Sequence, residues 1–393
     1  MQIKNTGKNK KHKPEILIFA SENENKSKKV KLMSKSLQSK EISFKGQNIY
    51  IGIDVHLKNW SVTLLSETRF LRTMCQDPKA EVLVSHLKKN YPDATYYSAY
   101  EAGFCGFAAH RRLQELGVNN IVVNPADVPT SNKERRRKTD AIDSKKIAEA
   151  LRAKQLEAIH VPSVEQQELR SLIRVRKSIV FDLARMKQRV KSMLYFSGID
   201  FPDKFAKRKS QWTKAFITWL REDVPFMTLR GKEALDALIN AVESERSHLL
   251  SMNRKIREIS RSQEYRDTYN LVTSVPGFGM VSAMTFISEI GDVARFKSSD
   301  KLAAFIGLVP DTDSSGDDEV TCGITSRSHN YMRELIIEAA WVAVSLDPSM
   351  TLAYENLTRR MKGCNAIIRI ARKLVNRLYR VLKFKEPYVP SVV

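Results

Sequence analysis

Asp54, Glu101, Asp140 and Asp143 are the residues whose types and spacing suit chemistry on a phosphodiester. Asp54 lies in "YIGIDVHLKNWSV", a strand–turn–strand pattern, flanked by Ile51, Ile53 and Val55. A buried charge is costly unless it is paired or holds a cation. Glu101 closes a second strand pattern, "ATYYSAYEAG". Asp140 and Asp143 stand three apart on a predicted helix and so share a face. If the two strands are neighbours and the helix crosses their ends, four carboxylates converge. Unpaired, they raise one another's pKa. With divalent cations they form the hard-oxygen site that Mg²⁺ prefers, and two such ions can clamp the attacking and leaving oxygens of a phosphodiester. Singly, each signal is weak, because an Asp in "GID" is more often a turn residue and an i,i+3 Asp pair often complements a helix dipole.

The elements that must position these groups follow from periodicity. "NIYIGIDVHLKNWSVTLLSE" predicts two strands joined near His56–Asn59, and "RFLRTMCQ" a third. "PKAEVLVSHLKKNYP" has helical spacing at Val82, Leu83 and Leu87. A strand ending at Glu101, a helix closed by Gly117 and the strand "VNNIVVNPAD" follow. Three opening strands and then alternating helix and strand predict an α/β domain, a mixed sheet with helices on its faces, over 47–160. "SNKERRRKTDAID" then places Arg135, Arg136, Arg137 and Lys138 in a basic loop, a candidate nucleic-acid contact, before a helix with Thr139 as N-cap.

Residues 161–268 behave differently. Leu169, Leu172, Ile179, Leu183, Met186, Val190 and Met193 step by three and four, as do Leu235, Leu238, Val242, Leu249, Met252, Ile256 and Ile259. Such seams predict a coiled coil, antiparallel within the chain or shared with another subunit, with Trp212, Phe216 and Trp219 at its tip. Residues 269–393 predict a mainly α domain. Its "LVTSVPGFGMVSAMTFISEIG" resembles a helix-hairpin-helix element in which Gly277 and Gly279 would expose amides to phosphate. The last helix sets Ile370, Leu374 and Leu378 against a basic row that includes Arg372 and Lys373.

The charge balance points the same way. The chain has 393 residues, with 66 Lys plus Arg against 44 Asp plus Glu, a formal charge of +22. This favours a polyanionic partner, most commonly nucleic acid. Residues 1–46 are rich in Lys, Asn and Ser without Arg, and read as a basic disordered arm. Cys75, Cys105, Cys322 and Cys364 form no CxxC pair, so reduced cytoplasmic thiols are expected. No apolar run approaches a membrane span, and no membrane partner is expected.

A set of segments carries a family resemblance: "IGIDVHLKNWSV", "YEAGFCGFAAHRRLQELG", "KTDAIDSKKIAEAL", "PGFGMVSAMTFISEIGDVARFKSSDKLAAFIGLVP", "SSG" and "ITSRSHNYMRELIIEAA", in this order. They resemble the DEDD transposases of the insertion-sequence one-ten family, relatives of the Piv DNA invertases. The resemblance runs from about residue 48 to 385. It implies a RuvC-like RNase H fold, then a coiled coil, then a C-terminal transposase domain. The DEDD quartet falls on Asp54, Glu101, Asp140 and Asp143 and would hold two Mg²⁺. The catalytic serine falls on Ser315, with Ser314 adjacent, and Arg327 and Arg333 become candidate phosphate clamps. Also implied are element-end and target DNA, a structured guide RNA, a homo-oligomer (dimer or tetramer) with composite sites, and a prokaryotic, cytoplasmic, nucleoid-associated setting.

The chain departs from the family in its long basic arm, in Ser328 where glycine is usual, and in the acidic serine loop "DTDSSGDDE". Two other readings stay open on the residues alone: a RuvC-like resolvase or nuclease in which water attacks, and a nucleic-acid-binding protein with a dead site.

Overall fold

The computed structural model describes residues 43–129, 139–226, 228–315 and 318–390, the side chains of 312–322 excepted. The chain divides into two compact units, 1–161 and 162–393. The basic arm before residue 43 and the Arg135–Lys138 loop lie outside the described residues.

In the first unit, β1 (Asn48–Val55), β2 (Trp60–Leu65) and β3 (Phe70–Gln76) form an antiparallel meander. The helix α1 (Ala80–Asn90) leads to β4 (Thr95–Glu101), α2 (Ala108–Glu115) and β5 (Asn119–Val123). Strand order is β3-β2-β1-β4-β5, with β4 parallel to both β1 and β5. The expected mixed sheet is therefore present. Alternation sorts its faces. Ile49, Ile51, Ile53, Val62, Leu64, Tyr96 and Tyr100 form one core with Leu83, Val84, Leu87 and Leu113 from α1 and α2. Val82, counted on that face from spacing, is exposed, and Val84 is buried in its stead. The opposite face receives α3 (Asp140–Arg152), which buries Ile147 against Ala99 and Val123. Thr139 caps α3 by accepting from the Ile142 amide at 3.4 Å, and Gly117 ends the turn after α2 with a left-handed φ of 89°.

The second unit is helical apart from one hairpin. The long helix α4 (Val164–Phe196) leads through a tip that includes α5 (Lys214–Glu222) to a second long helix, α6 (Leu229–Ser260). They run antiparallel within the chain: Leu183, Val190 and Leu194 meet Leu235, Ile239 and Val242 at the tip, and Leu169 and Ile173 meet Ile256 at the base. Phe205, Phe216 and Trp219 fill the tip in edge and tilted ring contacts. The middle is polar, with Arg176 donating to Asn253 at 3.0 Å. The base core continues through α7 (Arg266–Ser274), α8 (Met280–Ile290), α9 (Ser299–Ile306), α10 (Asn330–Leu346), α11 (Pro348–Thr358) and α12 (Gly363–Phe384). The hairpin β6 (Pro310–Ser315) and β7 (Asp318–Ile324) leaves this bundle between α9 and α10. Among the described residues, no single helix is long and apolar enough to cross a membrane.

One buried carboxylate ties α4 to the bundle. Glu289, in the last turn of α8, is 1% exposed. Arg174 grips it with two hydrogen bonds of 2.8 and 3.0 Å, and Arg170 approaches at 3.1 Å. His329 completes the set at 3.2 Å. Its Nδ1 accepts from the Met332 amide, so Nε2 carries the proton toward Glu289. Burial alone would raise the Glu289 carboxyl. The hydrogen bonds from His329 and Arg174 and the charges of both arginines overturn that and hold it at about 2. A depressed carboxyl stabilises the fold above its unfolded pKa near 4.5 and loses that contribution as pH falls from there toward 2. Glu289→Gln is expected to destabilise the second unit by about 3 kcal/mol at pH 7 and to flatten this part of the acid dependence. Urea unfolding at pH 7 and at successive acid steps measures both.

Candidate metal and phosphodiester site

The site is built on the face of the sheet that α3 covers. Ile53 pairs with Tyr100 in the parallel β1–β4 register, so one step further brings Asp54 level with Glu101. Register partners share a face, and this face also carries Gly52. Gly52 explains how α3 comes so close. A Cβ there would fall 1.9 Å from the Ser144 carbonyl oxygen and 2.4 Å from the Ala148 amide. The bare glycine lets the helix backbone rest on the strand. Ser144 fixes the contact from the other side: fully buried, its hydroxyl lies 2.9 Å from Thr63 Oγ1 and 3.2 Å from Ser61 Oγ on β2.

With α3 seated, its first turn reaches Asp54. Burial pushes the Asp54 carboxyl up; His56 lowers it, and the charges of Asp140 and Asp143 raise it again. The direction is that of a carboxylate crowded by like charges in a part-buried place. Two basic side chains sit among them. Lys146 donates to Asp143 at 2.9 Å, and His56 Nε2 lies 3.1 Å from Asp54 Oδ2 and 3.5 Å from Asp140 Oδ1. Ligand atoms of Asp54, His56 and Asp140 all lie within 4.8 Å of one another, a spacing that one metal ion can span. Hard carboxylate oxygens that repel one another are a fitting donor set for a divalent cation.

His56 was missed in the sequence. It read as part of a turn, and its amide does close that turn on the Asn59 carbonyl at 3.1 Å. The available signal was its spacing: two residues after Asp54, where the strand ends and alternation no longer decides where a side chain goes.

The other candidates fall in the second unit or outside the described residues. Ser314 and Ser315 end β6, their backbones paired with Glu319 and Asp318. Gly277, at a left-handed φ of 97°, has an internal reason to be glycine, since a Cβ would meet the Ala339 carbonyl at 2.2 Å. The Gly279 amide donates to Ser282 Oγ at 2.8 Å, so it is engaged in capping α8. Arg333 is likewise engaged: it donates to the Thr325 carbonyl at 2.8 Å, to Asn330 at 3.0 Å and to Ser328 Oγ, and so shapes the loop that follows β7. Ser328 packs on Gly307, where a Cβ would collide with it. The Arg327 amide donates to Thr325 Oγ1 in the same loop. Arg372 bonds Asp300 at 2.8 Å and the Leu308 carbonyl, and with Arg369 and Lys373 it lines a groove of about 760 Å³ at the foot of the β6–β7 hairpin.

Comparison with known proteins gives this geometry its context. Residues 51–197 match the DEDD transposase family of the IS110 type, and residues 269–355 match the transposase IS116/IS110/IS902 family. The chain is 30% identical over 245 residues to the y4qE protein of Sinorhizobium fredii, which bears a transposase name, covering 62% of this chain and 58% of that one. It is 26% identical to the transposase of insertion sequence element IS1111A of Coxiella burnetii, covering 60% and 63% of the two chains. It is 28% identical to the transposase of element IS1533 of Leptospira borgpetersenii, covering 63% and 70%. The first two of these are matched over less than two thirds of their own length.

Gly52 and Gly103 make a matched pair for test. A Cβ at Gly103, also beside a quartet residue, would meet nothing within 4 Å. Gly52→Ala is expected to cost about 1–3 kcal/mol through forced displacement of α3 and to weaken Mn²⁺ binding. Gly103→Ala is expected to leave both near wild type. Thermal unfolding and Mn²⁺ titration by electron paramagnetic resonance read the difference.

Proposed function

We propose that the chain, two segments of which match the IS110-type DEDD and the IS116/IS110/IS902 transposase families, cuts and rejoins DNA as the transposase of an insertion sequence. The observation that carries the reading is the gathering of Asp54, Asp140 and Asp143, with Glu101 level with Asp54, at the carboxyl ends of two parallel strands. The sheet order supports reading this unit as RuvC-like, and the antiparallel α4–α6 pair as the family's coiled coil.

Asp54, Glu101, Asp140 and Asp143 would hold Mg²⁺. When bound, the ions offset charge on the phosphate and stabilise the leaving oxygen. Ser315 is the nucleophile in this reading, at the end of β6 and before residues 316–317, which lie outside the described residues. Its oxygen bonds to phosphorus as its proton leaves, and the bond from phosphorus to one DNA oxygen breaks. That oxygen takes up a proton. An incoming strand hydroxyl then attacks the phosphoserine, restoring the serine and rejoining the DNA. A serine hydroxyl needs a base or metal nearby, and a composite site built by two protomers would bring the quartet and the serine together. Guidance by a structured RNA, a homo-oligomeric assembly and a nucleoid setting complete the proposal. The +22 charge supports polyanion binding by the chain as a whole.

Ser315→Ala is expected to keep nucleic-acid binding and lose strand transfer, while wild type traps a protein–DNA adduct on a suicide substrate. Mass spectrometry of the digested adduct locates the bond. Attachment at Ser314 moves the assignment by one residue. Wild-type cleavage by Ser315→Ala with no adduct hands the case to water as nucleophile. Asp54→Asn is expected to abolish cleavage, and normal cleavage by it in EDTA would end the carboxylate reading. Binding should weaken steeply with salt, log K falling by about 0.9 per neutralised phosphate per decade on duplex DNA.

A further inference from the structure

The carboxylates occupy one side of the carboxyl ends of β1 and β4, and the other side of the same ends is hollow. A pocket of about 540 Å³ opens there, with Val55, Trp60, Cys105 and Ala108 on its wall and Lys79 at its rim. That volume lies within the usual range for small-molecule sites, roughly 300–1,000 Å³. The location is the crevice where the strand order reverses, with β2 on one side of β1 and β4 on the other.

Two large apolar side chains stand exposed together at its mouth. Leu57 is 81% exposed and Phe104 66% exposed. Each stands three residues after a member of the quartet, Leu57 after Asp54 and Phe104 after Glu101. Because β1 and β4 are parallel neighbours, both emerge from the same edge of the sheet. Phe104 is held on a closed turn: the Gly106 amide donates to the Gly103 carbonyl at 3.1 Å, and the buried Tyr100 hydroxyl donates to the Gly106 carbonyl at 2.9 Å. An exposed ring on an anchored turn is presented, since nothing in that turn's own packing requires it. His56 lines the pocket and also touches Asp54, so pocket and carboxylates are continuous.

We propose that this pocket takes an unstacked nucleobase beside the phosphate that is cut, with Phe104 as the stacking platform and Leu57 as the opposing wall. The proposal rests on the DNA-cutting reading and adds a binding subsite to it. A strand that bends into the carboxylates cannot keep every neighbouring base stacked on its duplex. An aromatic ring recovers part of that lost stacking for any base, because every base has a π-face. Arg112 at the rim is paired with Glu81 at 2.6 Å and Glu115 at 2.8 Å, which leaves Lys79 as the rim cation for the adjoining phosphate. With a wall of Trp60, Cys105 and Ala108, the subsite is expected to accept all four bases with little preference.

The test uses the full chain and short single-stranded oligonucleotides carrying 5-iododeoxyuridine at successive positions. Irradiation and mass spectrometry are expected to find an adduct at Phe104 or Trp60. Phe104→Ala is expected to bind the oligonucleotide roughly tenfold more weakly, and Phe104→Trp to restore binding. Phe104 is largely exposed, so its removal leaves the core intact. Salt-dependent binding with no adduct in this unit, and Phe104→Ala binding as wild type does, would overturn the subsite and leave the DNA-cutting reading standing. Failure of wild type to bind any oligonucleotide would overturn both. Altered sedimentation of Phe104→Ala with unchanged affinity would assign the patch to a second copy of the chain and overturn the subsite.

Discussion

The close seat of α3 on Gly52 is the contact on which the first unit's carboxylate cluster depends. A helix lying on a strand through side chains keeps its backbone well clear of the sheet. Here the Ser144 carbonyl and the Ala148 amide come to where a strand Cβ would be. That approach carries the first turn of α3 over the end of β1 and delivers Asp140 and Asp143 to Asp54. Burial there raises the Asp54 carboxyl, and the charges of Asp140 and Asp143 raise it further. Burial of Ser144 against Ser61 and Thr63 and of Ile147 against Ala99 and Val123 holds the helix against that repulsion. Apolar burial of a side chain such as Ile is worth about 1.5–3 kcal/mol, and a satisfied buried hydroxyl avoids a penalty of similar size.

The second unit solves a different problem. Its long helices α4 and α6 meet chiefly at their two ends, around the tip aromatics and around the base core, with a polar middle. Orientation of the bundle on α4 thus falls to the base. There Arg170 and Arg174 both neutralise Glu289, and Arg170 also donates to the Ser288 and Glu289 carbonyls at the end of α8. Cations at a helix C-terminus complement both the dipole and the unpaired carbonyls. His329 joins the same carboxylate and also caps α10, which follows the β6–β7 hairpin. The helix that follows the hairpin is therefore locked to one buried charge.

Much of this was legible where local rules decide. The mixed sheet, the Thr139 cap and the Gly117 stop follow from alternation and end signals, as do the places of Asp54 and Glu101 at strand ends and of Asp140 and Asp143 at a helix start. Legibility failed where tertiary approach decides. The need for glycine at 52 and 277 lies in backbones that pass in space, Ser144 and Ala339, far off in sequence. Val82 gave way to Val84 because a helix on a twisted sheet buries the stripe the sheet selects. The heptad seams read as continuous, yet Ile173, Leu194 and Ile239 are fully buried and stand outside the seams as counted, while Leu172, Ile179 and Leu249 are only half-buried. A period of 3.6 drifts against a 3.5 repeat, and the tip and base cores each choose their own stripe. His56 escaped notice because a turn residue is read for its backbone first.

Local partners surround the carboxylates. Asp143 is paired with Lys146, and Asp54 and Asp140 share His56, so the cluster carries basic partners of its own. These pairs involve part-exposed groups and are individually weak. Their effect is positional: they draw the carboxylates into register at a spacing one ion can span. Oxygens held in this way would meet a divalent cation with little rearrangement. The packing that seats α3 and the repulsion among Asp54, Asp140 and Asp143 thus oppose each other, and Lys146 and His56 are the side chains set between those carboxylates.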